Sequence, residues 1–260
     1  MPTAQLMKRD IHLTGKDLMG MVQLRPQDLG KYVLVPGPKE RTDSLVKKLE
    51  NPVKNFAFME YTMYTGNYRG TKVTTINGGR FSPDTAITTE ILCNAQPQCM
   101  VRIGSCGALS EDIKIGDIVV IDSALRGDGV TPYYVKPDFQ PTSDKKLTDA
   151  LEEVAKMSGL RVHRGKIWTT DALLKETSEY VNKAIDQGAI VVDMVTSVFL
   201  TLCQLYKIPA TAIVAVSDNI ITGQMGFMDP NYYMSESALV KISLDLVDKL
   251  EGRDIKKGMF

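Results

Sequence analysis

The sequence predicts an α/β fold built around a central, mainly parallel twisted sheet flanked by helices, and two observations predict it. Short β-branched runs alternate with segments of helical period, and the runs are apolar at successive positions rather than at every second one. Continuous apolar runs mark strands buried on both faces, the condition of a parallel sheet covered by helices.

The elements follow in order. "YVLVPG" (32–37) stops at a glycine and hands over to helical period at 40–49; "KVTTING" (72–78) does the same before 84–95. "CMVRIGSCG" (99–107) and "DIVVIDSAL" (117–125) are the next two strands, and a loop over 127–142 separates them from a helix at 144–158. "GKIWTTD" (165–171) precedes helical period at 174–187, and "AIVVDM" (189–194) precedes an apolar helix at 196–206. "ATAIVAVSD" (210–218) ends in polar residues, followed by a loop at 222–231 and a final helix at 232–250. No repeat, low-complexity tract or linker divides the chain, and 260 residues at 43% hydrophobic content can bury one core, so a single domain over 1–260 is expected.

Composition excludes several function classes. Lys plus Arg equals Asp plus Glu at 31 each, so no global field favours nucleic acid or an anionic membrane, and any anion must be held by local groups. Cys93, Cys99, Cys106 and Cys203 form no CxxC pair, which argues against a zinc site or a secreted disulfide scaffold and fits a reducing cytoplasm. No apolar stretch reaches spanning length, and the charged N-terminus lacks an apolar core, so a soluble protein is expected. No GxxxxGK[ST] or GxGxxG follows a strand, which moves triphosphate and dinucleotide chemistry down the list.

The strand ends carry more information than the strands. "VPGPKER" (35–41), "NGGRFSPD" (77–84), "RIGSCGAL" (102–109), "TTDAL" (169–173), "VDMVTS" (192–197) and "VSDN" (216–219) are small or polar, and ligands of α/β sheets bind beyond such ends. Two of these segments pair an arginine, Arg41 or Arg102, with glycines that let a ligand approach the backbone, and Ser105 adds a hydroxyl: the elements of an oxyanion or phosphate site. Each motif has a plainer reading, since glycine after a strand is ordinary turn chemistry and most arginines are solvated or salt-bridged. Asp218 could equally cap the turn that follows it, and His12 could be a surface histidine of an N-terminal arm.

Taken together, "VLVPGPKERTDSLVKKL", "PDTAITTEIL", "MVRIGSCGAL", "IKIGDIVV", "VVDMVTS" and "IVAVSDNI" resemble, in order and spacing, the nucleoside phosphorylase-I family, which includes uridine phosphorylase, hexameric purine nucleoside phosphorylase, methylthioadenosine phosphorylase and AMP nucleosidase. The resemblance covers nearly the whole chain from "IHLTGKDL" (11–18) onward. It implies a phosphorylase/hydrolase-like fold with a partly closed, barrel-like mixed sheet. It also implies phosphate-dependent cleavage of the N-glycosidic bond of a nucleoside, giving free base and ribose 1-phosphate in nucleoside salvage, with inorganic phosphate as co-substrate and neither metal nor organic cofactor. By resemblance, Gly37, Arg41, Arg102 and Ser105 hold phosphate, with Arg102 also catalytic. Met194 and the residue at 195 hold ribose, and His12 reaches a neighbouring subunit's ribose, which requires a homo-oligomer, a dimer or a hexamer built as a trimer of dimers. Cys106, Gly107, Leu173, Asp193 and Asp218 surround the base, and Asp218 would donate a proton to a purine leaving group.

Purine is favoured over uridine because the loop "ALLKETSEY" has Thr177 and Glu179 near the places where uridine-cleaving members carry Gln and Arg. Two departures stand out. Val195 replaces the glutamate that grips the sugar hydroxyls in the family pattern, and Met59 stands where many members supply a phosphate-binding arginine across a subunit interface. Lys39 and Arg80 are candidate substitutes for that cation, and His163 matches no functional position. The alternatives to phosphorolysis are hydrolysis of the AMP nucleosidase type and a nucleoside-binding protein that has lost catalysis.

Overall fold

The computed structural model describes residues 11–255 and places ten strands in one sheet. In chain order the elements are α1 (Gly15–Met21), β1 (Tyr32–Pro36), α2 (Lys39–Val46), β2 (Glu50–Phe58), β3 (Tyr61–Tyr68), β4 (Thr71–Ile76), α3 (Ser82–Asn94), β5 (Cys99–Ala108) and β6 (Ile118–Gly127). They continue with α4 (Lys145–Lys156), β7 (Val162–Thr170), a 3₁₀ turn at Leu173–Lys175, α5 (Ser178–Asp186), β8 (Ala189–Asp193), α6 (Thr196–Leu205), β9 (Ala210–Asn219), β10 (Gln224–Met225) and α7 (Pro230–Leu250).

The sheet runs β10-β9-β6-β7-β8-β5-β1-β4-β3-β2, and β5 also pairs with β9. That extra pairing closes β5, β9, β6, β7 and β8 into a five-stranded ring, with β1, β4, β3 and β2 fanning out from β5. Parallel pairs (β1 with β4 and β5, β5 with β9, β7 with β6 and β8) build the buried centre, and their strands are the apolar runs the sequence shows. The ring closes through antiparallel pairs, β6 with β9 and β5 with β8.

The sequence predicts no element over 50–71, and this segment forms the β2–β3 hairpin. β2 is exposed along most of its length, carries Pro52 and lies at the sheet edge, so it needs neither an apolar run nor a full hydrogen-bond ladder. Met59 takes left-handed backbone (φ 51°) in the tight turn between the two strands, with its side chain in solvent. The helix expected at 174–187 divides into the 3₁₀ turn and α5.

One carboxylate fastens the strand ends beside the ring. Asp193, the last residue of β8, accepts from the Thr196 hydroxyl at 2.5 Å and the Thr169 hydroxyl of β7 at 2.9 Å. It also accepts from the backbone amides of Val195 and Thr196 at 3.2 Å, capping α6, and from Arg102 of β5 at 3.5 Å. Thr169 in turn accepts from the Ser197 amide at 3.0 Å, and the Ser82 hydroxyl at the start of α3 donates to the Met194 carbonyl at 2.9 Å. An anion at the N-terminus of α6 meets unsatisfied amides and the positive end of the helix dipole.

Removing one member of a buried charged network leaves the others uncompensated, typically at about 3–5 kcal/mol. Asp193→Ala is therefore expected to lower unfolding free energy by about that amount, and Asp193→Asn by less. Urea unfolding followed by Trp168, the only tryptophan, measures both; a loss under about 1 kcal/mol for the alanine variant would contradict the role given to this carboxylate.

Candidate functional site

A cavity of about 480 Å³ opens beyond these strand ends, and each of the six segments singled out in the sequence contributes to its wall. Gly37, Pro38 and Arg41 come from the β1–α2 turn, Arg80 and Phe81 from the approach to α3, and Arg102 and Gly104 to Gly107 from β5. Leu173 follows β7, Val192 to Met194 end β8, and Ser217 and Asp218 end β9.

The two arginines expected to bind an anion are both buried and both engaged. Arg41 donates through Nη1 to the Ile103 carbonyl at 2.6 Å and through Nη2 to Glu236 of α7, leaving its Nε without a partner among the described residues. Arg102 donates through Nε to Thr196 at 3.2 Å and pairs through Nη2 with Asp193. Burial lowers the Arg102 guanidinium from its ordinary value, and Asp193 opposes that shift. A Cβ on Gly37 would stand 3.9 Å from Arg102 Nη1, and one on Gly104 only 2.9 Å from Nη2, so glycine at 104 gives the guanidinium its room. Tyr232 of α7 also lines the cavity and donates to Glu236 at 2.9 Å; burial first and then Glu236 push its phenol up to about 12.

Acids occupy another part of the wall. Between Cys106 and Gly107 the β5–β9 register slips, so Ser217 is the extra residue of a bulge and Asp218 stands opposite Gly107. A Cβ on Gly107 would lie 2.9 Å from Asp218 Oδ2. The Ser217 hydroxyl donates to Asp218 Oδ1 at 2.7 Å. From Gly104 to Gly107 is three strand residues, so the arginine and aspartate regions lie roughly 10 Å apart along β5. Cys106 sits between them, buried, its thiol pushed well up by burial.

Glu176 was not among the residues expected in the site. It follows the 3₁₀ turn, half-buried, and lines the same cavity as Asp218. Burial first, and then the charge of Asp218, raise its carboxyl to about 7. The loop "ALLKETSEY" points to this region, but Thr177 occupies the N-cap position of α5 without a side-chain capping bond and Glu179 lies exposed in the first turn. The turn that swings Glu176 inward was hidden within an expected continuous helix.

Other candidates fall elsewhere. Met194 lines the cavity, whereas Val195 is 1% exposed at the N-cap of α6 and is not part of the wall. His12 is exposed and does not line this cavity. Lys39 pairs on the surface with Asp43 at 2.7 Å, while Arg80 reaches the cavity. His163 is held by Asp117 at 2.7 Å. Among the described residues no group of three or more His, Cys, Asp or Glu is placed to hold a metal ion, and all four cysteines are free and buried.

The chain is 29% identical over 219 residues to the uridine phosphorylase of Thermococcus kodakarensis, covering 79% of each protein. It is 26% identical over 229 residues to the guanosine phosphorylase of Halorubrum lacusprofundi, covering 86% of this chain and 95% of that one. Among solved structures it shares the fold of the purine nucleoside phosphorylase from Toxoplasma gondii in complex with immucillin-H, with a TM-score of 0.80 at 23% identity over 96% of this chain and 99% of that one. The family model described as the phosphorylase superfamily matches residues 31–238, from just before β1 into α7, so this chain belongs to the phosphorylase superfamily.

Proposed function

We propose that the chain is a nucleoside phosphorylase, a pentosyltransferase acting on purine nucleosides, and the carrying observation is the pairing of Asp218 with Glu176 in the cavity that also holds Arg41 and Arg102. Phosphate, held by Arg41, Arg102, Ser105 and the amide of Gly37, attacks the anomeric carbon as the glycosidic C–N bond breaks. The base leaves with that bonding pair and takes a proton at N7 from the carboxyl pair, and ribose 1-phosphate forms. A strand separation of roughly 10 Å between the two regions leaves room for a sugar between nucleophile and leaving group.

Purine follows from the acids. A carboxyl that keeps its proton to about 7 beside a second carboxylate is a proton donor at neutral pH, which purine N7 can accept. Uracil offers two carbonyl acceptors, and among the described residues the cavity wall carries no Asn or Gln side chain to answer them. Phosphate is the only co-substrate of this scheme, without metal or organic cofactor. A homo-oligomer belongs to the same reading: His12 lies outside its own chain's cavity and would serve a neighbour's ribose. So does a cytoplasmic location; no helix among the described residues is long and apolar enough to cross a membrane.

A second reading, nucleoside binding without turnover, is favoured by one observation. Glu236 and Asp193 offset the charges of Arg41 and Arg102, which leaves Arg80 as the remaining cation of the wall. A nucleoside panel with and without phosphate, reading released base, separates phosphorolysis, hydrolysis and silence.

Two outcomes are expected. Ser105→Ala and Arg102→Lys should raise the phosphate KM, by about tenfold and about a hundredfold respectively, as one neutral and one charge-assisted hydrogen bond are lost. Unchanged phosphate dependence in both would remove this site from the scheme.

The pH dependence has a definite sign. Burial makes the folded chain bind the Glu176 proton more tightly than the unfolded chain. The resulting stabilisation is complete below the ordinary value of 4.5 and disappears as pH rises through about 7. Solvent access at this half-buried site reduces the effect to ~1 kcal/mol. Glu176→Gln should match the parent in thermal unfolding near pH 5 and exceed it by about 2 °C near pH 8. Purine cleavage by the parent should fall above an apparent pKa near 7 belonging to the carboxyl pair, and the variant should shift that limb. A parent whose activity is flat from about pH 6 to 9 would argue against proton donation by the pair.

A further inference from the structure

We propose that a second cavity, on the far side of the 3₁₀ turn at 173–175, binds an organic phosphate bearing a planar ring, and that its occupancy is felt in the first cavity through that turn. The second cavity, about 630 Å³, lies between the end of β6, the end of β7 and α5. Its wall contains Arg126, Lys175 and Lys183 and no carboxylate, in a chain whose basic and acidic residues cancel. Like charges gathered without counter-ions in a recess create a local potential that draws anions.

The recess is built rather than incidental. Arg126 is fixed by Thr131 at 2.9 Å and by the carbonyls of Lys136 at 2.7 Å and Phe139 at 3.2 Å, which anchors one cation in place. The side chains of Lys175 and Lys183 have no partner among the described residues. Trp168 is 8% exposed and lines the recess, and its indole N–H, a donor with no acceptor capacity, makes no hydrogen bond to a described residue and is not among the buried unpartnered atoms, so it is open to the cavity. A donor facing an open recess is available to an acceptor that enters it. A Cβ on Gly127 would come within 2.4 Å of the indole nitrogen, so glycine at this lining position leaves the donor its space. Tyr180 adds a second aromatic ring to the wall. Three cations and an indole N–H open to the recess suit phosphate oxygens, and the indole and phenol suit a planar ring.

The coupling follows from how one short turn is shared. Ala172 and Lys175 face the second cavity, while Leu173 and Glu176 face the first. A single tight turn, closed by Lys175 N to Ala172 O at 2.7 Å and followed by Thr177 N to Lys175 O at 2.8 Å, cannot move one face without the other. An anion that draws Lys175 inward therefore repositions Glu176.

Trp168, the only tryptophan, reports directly on this cavity. Its emission is titrated with adenosine 5′-diphosphate, with inorganic pyrophosphate as the ring-free probe and adenosine as the phosphate-free probe. The diphosphate is expected to give a saturable change with submillimolar Kd, about tenfold tighter than either partial probe. Lys175→Ala/Lys183→Ala should weaken it at least tenfold, and Arg80→Ala, which alters the first cavity alone, should leave it intact. Nucleoside affinity by equilibrium dialysis should change at least threefold on adding the diphosphate, and not in the double variant. No emission change, or one that survives the lysine double variant and is lost in Arg80→Ala, would overturn the site. Pyrophosphate binding as tightly as the nucleotide would overturn the ring component, and unaltered nucleoside affinity would overturn the coupling.

Discussion

The geometry of the cavity depends on the Asp193 carboxylate. Five donors from β5, β7 and the first turn of α6 converge on its two oxygens, so one side chain sets the relative positions of three elements whose ends form the wall. Its burial is tolerated because each charge it brings has a partner: the α6 amides supply partial positive charge and Arg102 a full one. The same contacts explain why Arg102 can be buried in a strand. With Thr196 and Asp193 fixing two of its nitrogens, the guanidinium is held with Nη1 over Gly37, in the orientation an anion arriving above the β1–α2 turn would require.

Asp193 also separates the chemistry of the two regions. Its charge is spent on the protein, so the carboxyls left to face a ligand are Glu176 and Asp218, the latter displaced along β5 and set by the bulge at Ser217. A regular register would shift residues 217 onward by one place and turn Asp218 toward the opposite face of the strand. The bulge thus puts an acid beside Gly107, and the glycine leaves room for it.

The parallel centre was legible because burial on both faces leaves a continuous apolar signature, and the strand-end segments were legible because glycines and polar residues interrupt it. The β2–β3 hairpin was not, since its outer strand is exposed and polar and is held by pairing rather than by burial. Arg41 and Arg102 stand in strand-end motifs legible in the sequence, and Met194 and Asp218 were singled out by the family resemblance. Their partners were not: Glu236 lies 195 residues from Arg41, and no spacing rule connects the two. Glu176 escaped for a local reason. The sequence "LLKETSEY" has helical period throughout, and only the 3₁₀ geometry before Thr177 turns the acid away from the solvent face of α5.

Val195 is where these observations meet. The turn at 193–196 presents Met194 to the cavity and keeps Val195 inside, with its amide donating to Asp193. The turn therefore offers a sugar a thioether and no free carboxylate, because the Asp193 oxygens are taken by their five donors and the Met194 carbonyl already accepts from Ser82. A ribose hydroxyl packed there exchanges water for an apolar surface, which costs on the order of 1–2 kcal/mol unless another group answers it. Under the proposed function, no carboxylate of this turn is free to grip the hydroxyls that distinguish ribose from deoxyribose. In the proposed phosphorolysis, stabilisation of an oxocarbenium-like transition state falls to the two ends of the ligand, the anion at Arg41 and Arg102 and the departing base at Asp218 and Glu176. Those are the places where charge changes between ground and transition state, and only interactions that strengthen on that path accelerate the reaction.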